Sequence, residues 1–295
     1  MAANNNTTNE GVDAWINYYK PPADGSPPQH NDLEIMLGNK DMVSYRMRIH
    51  DMRGRENDFT LDAHGLQYAR LQTKVIDWAS EDEIKSTYFP EVEELVKRVT
   101  GASQVLVYNH TVRNAAANDY GDHVKGIQGV TGPAHRIHVD QTPDGAASTV
   151  AYMFPEQVDD FAKRGYQLLN VWRPLTRVCR DPLMVADMSK MPESDLVVVP
   201  RSYYNGMKSW NYAVKYSGSE NPDNAETIID GKSSGGEHSW WYIGNQEADE
   251  AMVFSCSDLR PGKRANGAVH GSFCLPDQDK FPARQSIEVR VVAVY

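Results

Sequence analysis

No run of about 18 consecutive apolar residues occurs in the chain, so a transmembrane helix is not expected. Cysteine is scarce. The three present, Cys179, Cys256 and Cys274, are odd in number and lack CxxC spacing, which excludes a disulfide framework and a structural zinc site and points to a reducing, cytoplasmic setting. Basic charge is short as well: 30 Lys and Arg stand against 40 Asp and Glu, a net charge of −10, with no basic cluster to neutralise phosphates. Nucleic acid and membranes are not expected partners, whereas a small molecule is. The opening MAANNNTTNEGVDAW has no basic segment ahead of an apolar core, so no targeting segment is expected. Nothing in the sequence fixes the oligomeric state.

What is present suits a folded enzyme-sized domain: 295 residues, 40% of them hydrophobic, can bury a sizeable core. Residues 1–30, rich in Asn, Thr, Pro and Gly, predict a flexible N-terminal arm, and residues 31–295 a single domain. MVSYRMRIHDMRG alternates Val43, Tyr45, Met47 and Ile49 with polar residues, a period of two that predicts a half-buried strand; LQYARLQTKV predicts a second. FPEVEELVKRVTG places Val92, Leu95, Val96 and Val99 at helical spacing, with Pro90 in the first turn and Gly101 past the end. SQVLVYNHTVR and HRIHVD predict strands, NAAANDYGDHVKGIQGVTG a long loop, and PEQVDDFAKRGYQLL a helix ending near Gly165. Short strand-like runs dominate the rest. The expectation is a mainly β protein with flanking helices, its antiparallel sheet closed or sandwiched.

The chemistry centres on HRIHVDQTPDG. On a strand, residues two apart share a face, so His138 and Asp140 can converge on one ion while His135 points the other way. A plainer reading remains open, in which both are solvated residues of a strand edge and QTPDG is a turn. His270, at the entry to an apolar run, is the candidate third ligand. Beyond it Arg284 and Ser286 in ARQSIEVR offer a bidentate fork backed by a hydroxyl, a pair that suits the distal carboxylate of a dicarboxylate. Arg284 could instead pair with a carboxylate on a neighbouring strand, as Glu288 and Arg290 are expected to do with each other. Two His and one carboxylate form the facial set of non-haem iron(II) oxygenases. The helical His-Glu-x-x-His of zinc proteases is absent.

From Tyr45 onward the chain resembles the Fe(II)/2-oxoglutarate oxygenases, within them the secondary-metabolism group that includes gibberellin desaturase-like and cephem methoxylase-like proteins. The resemblance rests on LDAHGLQ, YFPEVEELVKRVTGASQVLVYNHTVR, HVDQ, NVWRPL, DPLMVADMS and the terminal His270, Arg284 and Ser286. It implies a double-stranded β-helix, the jelly-roll, cupin-like core, with His138, Asp140 and His270 as iron ligands. Arg284, helped by Ser286, would grip the C5 carboxylate of 2-oxoglutarate. The long stretch between Asp140 and His270 is expected to hold insertions.

The implied enzyme takes Fe(II), 2-oxoglutarate and O2, abstracts hydrogen from a small natural-product intermediate or amino acid, and releases succinate and CO2. Hydroxylation, desaturation and oxidative ring closure are the outcomes left open. The alternatives are a non-catalytic cupin-like binding module and a metal-dependent hydrolase or isomerase on the same barrel. For the substrate, Arg113, Asn170 and Trp172 are candidates. Trp172 is equally a core residue, and Arg113 equally the partner of an acidic neighbour.

Overall fold

The computed structural model describes residues 11–28, 41–114, 132–202, 206–220, 222, 226–231, 238–263 and 267–295. Two sheets carry the fold. The larger joins β1 (Val12–Tyr19), β2 (Met42–Asp51), β10 (Trp240–Tyr242), β7 (Leu183–Ala186), β12 (His270–Ser272), β5 (His138–Val139), β9 (Lys208–Val214) and β8 (Leu196–Ser202), in that order. The smaller joins β3 (Leu66–Arg70), β11 (Glu250–Asp258), β6 (Tyr166–Pro174), β13 (Ser286–Val294) and β4 (Gln104–Arg113). All pairings between these strands are antiparallel except β10 with β2.

The core lies between the sheets, where Ile16, Met47, Val139, Val185 and Trp240 of the larger meet Trp172, Met252 and Phe254 of the smaller. The opposite face of the smaller sheet is covered by the helix Phe89–Thr100. Ile287, Val289 and Val291 of β13 pack there with Val92, Leu95 and Val96. Burying side chains of this size removes enough apolar surface to contribute roughly 1.5–3 kcal/mol each. The helix ends as its sequence predicts: Gly101 takes the left-handed conformation at φ 72° and its N–H closes on the Lys97 carbonyl at 2.9 Å. This is the double-stranded β-helix that the resemblance implied.

Two expectations are corrected. The first thirty residues are not an arm throughout. Val12–Tyr19 pairs along its whole length with β2, because VDAWINYY alternates and sends Ala14, Ile16 and Tyr18 into the core. QTPDG does not form a free turn but starts the helix Pro143–Met153, with Pro143 in its first turn and the Thr142 hydroxyl accepting from the Gly145 N–H at 3.0 Å. The stretch between Asp140 and His270, expected to hold a long insertion, also supplies β6 to β11 of the two sheets. The long Gly-rich loop expected over residues 114–132 lies, apart from its two end residues, outside the described residues, as does part of 217–236.

Candidate metal centre

His138 and His270 stand directly opposite each other in the β5–β12 register. Cross-strand neighbours share a face, and the two imidazoles lie with ring centroids 4.5 Å apart. Asp140 follows β5 by one residue, on the same side as His138, with Oδ1 at 3.3 Å from His138 Nε2. Val139 between them is buried in the core. The three side chains place one ligand atom each within 4.8 Å of one another, so they could hold a single ion.

Each imidazole is oriented by its own strand. His138 Nδ1 lies 3.0 Å from the Arg136 carbonyl and His270 Nδ1 lies 3.1 Å from the Ala268 carbonyl. A carbonyl only accepts, so both Nδ1 atoms carry a hydrogen and Nε2 is the nitrogen left to face an ion. Burial, with His270 close by, pushes His138 down to about 4, so its ring is neutral near pH ~7. Burial works the other way on Asp140, but Arg290 and His138 hold its carboxyl well below the usual range. A neutral His138, a second imidazole oriented in the same way and one carboxylate are a donor set that suits a divalent cation.

The carboxylate is fixed from the facing sheet. Asn170 Nδ2 donates to Asp140 Oδ2 at 2.9 Å, and Arg290 Nε donates to the same oxygen at 3.2 Å. Arg290 is in turn held by Glu288 at 2.5 Å and by the Thr111 hydroxyl at 3.2 Å. From the following residues, the Thr142 N–H donates to the Trp210 carbonyl at 2.7 Å, which ties the start of the next helix to β9.

A cleft of about 330 Å³ opens beside these groups, lined among others by Arg113, His138, Trp172, His270, Ser272 and Arg284. Arg284 is only 5% exposed, yet no described carboxylate pairs with it and its Nε has no hydrogen-bond partner. Nη1 donates to the Ser272 hydroxyl at 2.8 Å and to the Asp181 carbonyl, while the guanidinium carbon stands 5.0 Å from the centre of the Trp172 ring. Burial and the neighbouring Arg113 cation push Arg284 down to about 9. Asp181 and Glu288 offset only part of this, and a buried cation with no carboxylate bonded to it is costly, a cost that an incoming anion relieves.

The remaining sequence candidates divide. Trp172 satisfies both of its readings, being 2% exposed and part of the cleft wall. Arg113 lines the cleft and donates to the Gly132 carbonyl at 2.7 Å. Asn170, expected at the substrate, is fully buried against Asp140 instead. Ser286 begins β13 with its hydroxyl buried and unpartnered; the hydroxyl bonded to Arg284 is that of Ser272. Sequence reasoning missed Ser272 and the reach of Arg290 to Asp140. One signal was available: Glu288 and Arg290 are charges at alternate positions in SIEVRVVAV, a strand too apolar to be exposed.

Comparisons with known proteins agree with this architecture. A family model described as an oxidoreductase/YMDC permease-like domain matches residues 16–294. An oxidoreductase of Emericella nidulans is 49% identical over 90% of this chain and 89% of its own length. An alpha-ketoglutarate-dependent dioxygenase, phiK, from Fungal sp. is 32% identical over 96% of each chain. The solved structure of the iron and alpha-ketoglutarate-dependent endoperoxidase NvfI superposes with a TM-score of 0.74 at 22% identity, covering 97% of this chain and 99% of the other; at that identity it speaks to the fold. The chain belongs to the iron(II)/2-oxoglutarate-dependent oxygenase family, and it is an oxidoreductase of that class, with Fe(II), 2-oxoglutarate and O2 as its cofactors. The binding-module and hydrolase alternatives are thereby set aside. Among the described residues no helix is long and apolar enough to cross a membrane.

Proposed function

We propose that His138, Asp140 and His270 are the iron ligands, that Arg284 receives the distal carboxylate of 2-oxoglutarate with Ser272 and Ser286 beside it, and that the substrate is a small natural-product intermediate or amino acid. The observation that carries the ligand assignment is the register pair of His138 with His270, each ring locked through Nδ1 with Nε2 free. Two imidazole nitrogens and one carboxylate oxygen are the donor set of a facial iron site. The unpaired Arg284 Nε and the unpartnered Ser286 hydroxyl are what a carboxylate would satisfy.

When bound, iron and the keto acid supply the oxidising power: O2 decarboxylates 2-oxoglutarate to succinate and CO2, and substrate C–H hydrogen is abstracted. The protein's own part is positional. Asn170 and Arg290 keep one oxygen of Asp140 engaged, so the other faces the imidazoles. Phe254, with its ring centroid 4.5 Å from that of His270, excludes water from one side of that ligand. Arg113 in the cleft wall suits a small substrate bearing an acidic group. Three free thiols favour a reducing compartment, the cytoplasm.

The test is Fe(II)-dependent conversion of 2-oxoglutarate to succinate without added substrate. Wild type is expected to form succinate and His270→Ala to form none above background; equal rates overturn the ligand assignment. A panel of amino acids and biosynthetic intermediates, read by mass spectrometry as gain of oxygen, loss of two hydrogens or no change, then distinguishes hydroxylation from desaturation or ring closure.

A further inference from the structure

A second polar cluster lies beside Arg284 and takes no part in the ligand set. His135 Nε2 stands 2.9 Å from Asp181 Oδ1, and His135 Nδ1 stands 3.9 Å from Cys274 Sγ. Asp181 is buried and held from several sides: Gln278 Nε2 donates to its Oδ1 at 2.8 Å and Arg180 Nε to its Oδ2 at 3.2 Å, while its own N–H donates to Gln278 Oε1 at 3.0 Å. Cys274 is exposed, whereas Cys179 is half-buried and Cys256 buried. The order is thiol, imidazole, carboxylate: a nucleophile beside an imidazole that a third group orients.

A metal ion is a poorer occupant of this cluster. Both nitrogens of His135 already face a partner, and the Asp181 carboxylate accepts from the Gln278 and Arg180 side chains as well as facing His135, so a cation would have to displace bonds already made. Thiol chemistry displaces none of them. Burial disfavours the charged form of His135, but Asp181 and Cys274 outweigh it and raise the imidazole to about 9. The ring therefore holds a proton at neutral pH and places positive charge beside the sulfur.

We propose that Cys274 is a nucleophilic thiol prepared by His135 and Asp181, that it is a site of mixed-disulfide formation with small-molecule disulfides, and that the adduct weakens binding of the dicarboxylate at Arg284. In the exchange, the Cys274 sulfur gives up its proton and attacks one sulfur of the disulfide. The disulfide S–S bond breaks as the new one forms, and the departing thiolate takes the proton. Cys274 is oxidised and the other half of the disulfide is reduced to a free thiol.

The link to Arg284 is short. Asp181 offers its side chain to His135 and its backbone carbonyl to Arg284 Nη1. Its backbone sits in the left-handed region at φ 47°, held by the reciprocal bonds with Gln278. Ser272, two residues before Cys274, supplies the other acceptor for the same guanidinium nitrogen. An adduct on Cys274 displaces His135, and both segments that hold Arg284 feel it. This coupling rests on the assignment of Arg284 as the dicarboxylate anchor; the reactivity of Cys274 does not.

Iodoacetamide labelling, resolved by peptide mass spectrometry, tests the thiol directly. With the His135 ring beside its sulfur, Cys274 in the wild type is expected to react about tenfold faster than an unstructured cysteine peptide. Exposure alone cannot exceed the peptide rate. His135→Gln is expected to bring Cys274 down to that rate with Cys179 unchanged. A Cys274 rate no faster than the peptide, or one unaffected by His135→Gln, overturns the proposal.

The coupling is read by treating the protein with glutathione disulfide and titrating 2-oxoglutarate anaerobically with Fe(II). The adduct is expected to weaken binding at least about fivefold, with dithiothreitol restoring it. Unchanged affinity overturns the coupling. If unmodified protein binds no 2-oxoglutarate, the anchor assignment falls and the coupling with it, while the labelling rates stand on their own.

Discussion

Arg290 reaches from the smaller sheet to Asp140, Nε to Oδ2 at 3.2 Å, so the carboxylate beside the two imidazoles is braced by the sheet that does not carry them. Asn170 on the adjacent strand donates to the same oxygen. The proposed metal centre thus depends on the contact between the two sheets as much as on the strands that bear its three side chains.

Removing that brace should loosen metal binding without removing a ligand. Asn170→Ala and Arg290→Met are each expected to weaken Fe(II) affinity about 10–100-fold, the range seen when groups that orient ligands are lost. Titration of the apo-protein with Fe(II) under anaerobic conditions checks this. Unchanged affinity in both variants would show that Asp140 needs no support from the second sheet.

Arg284 is expected to distinguish dicarboxylates by their distal group. Arg284→Lys keeps the charge but loses the planar fork, and 2-oxoglutarate affinity should fall about tenfold or more. Pyruvate, which lacks the distal carboxylate, should bind wild type weakly and the variant no worse. Calorimetry with both acids gives the comparison. Equal losses for the two acids would mean that Arg284 does not contact the distal carboxylate.

How far the sequence discloses this arrangement depends on the length of each element. β2 and the helix Phe89–Thr100 are long enough for their periods to show, and Pro90 and Gly101 mark the helix ends chemically. β5 and β12 are only 2 and 3 residues long, too short for any period. His138 is held there by His270 on one side and Ala213 on the other, partners distant in sequence. The proposed ligand trio was legible through residue type and order, not through the strands that carry it. β1 was hidden by the composition around it, although VDAWINYY alternates. The role of Asn170 was not legible at all, because a buried amide aimed at a carboxylate reads the same as one aimed at a substrate.

The helix start after Asp140 makes a sharp demand on Gly145. A Cβ there would stand 2.4 Å from the Trp210 carbonyl oxygen. Gly145→Ala is expected to cost about 1–3 kcal/mol, the usual penalty for overpacking, and to lower Fe(II) affinity by shifting Asp140. Chemical denaturation and the same iron titration measure both effects. An unchanged denaturation midpoint would show that the helix moves away freely.

Acid stability should depend on Glu250. Burial works against its charge, but Arg53, the Glu247 N–H and the Tyr68 hydroxyl outweigh burial and draw its carboxyl down to about 2. A carboxyl depressed on folding contributes stability that is fully present above its unfolded value of about 4.3 and is lost as pH falls through the folded value. Wild type should exceed Glu250→Gln in melting temperature at neutral pH, with the gap closing between about pH 4.3 and 2. A gap independent of pH would remove Glu250 from the acid response.

The most direct test of the central claim is optical. Adding Fe(II) and 2-oxoglutarate anaerobically to the apo-protein should produce a visible metal-to-ligand charge-transfer band in wild type. The band should be absent or greatly weakened in His138→Ala and in Arg284→Ala. Bands of equal strength in all three proteins would contradict the assigned iron and 2-oxoglutarate sites.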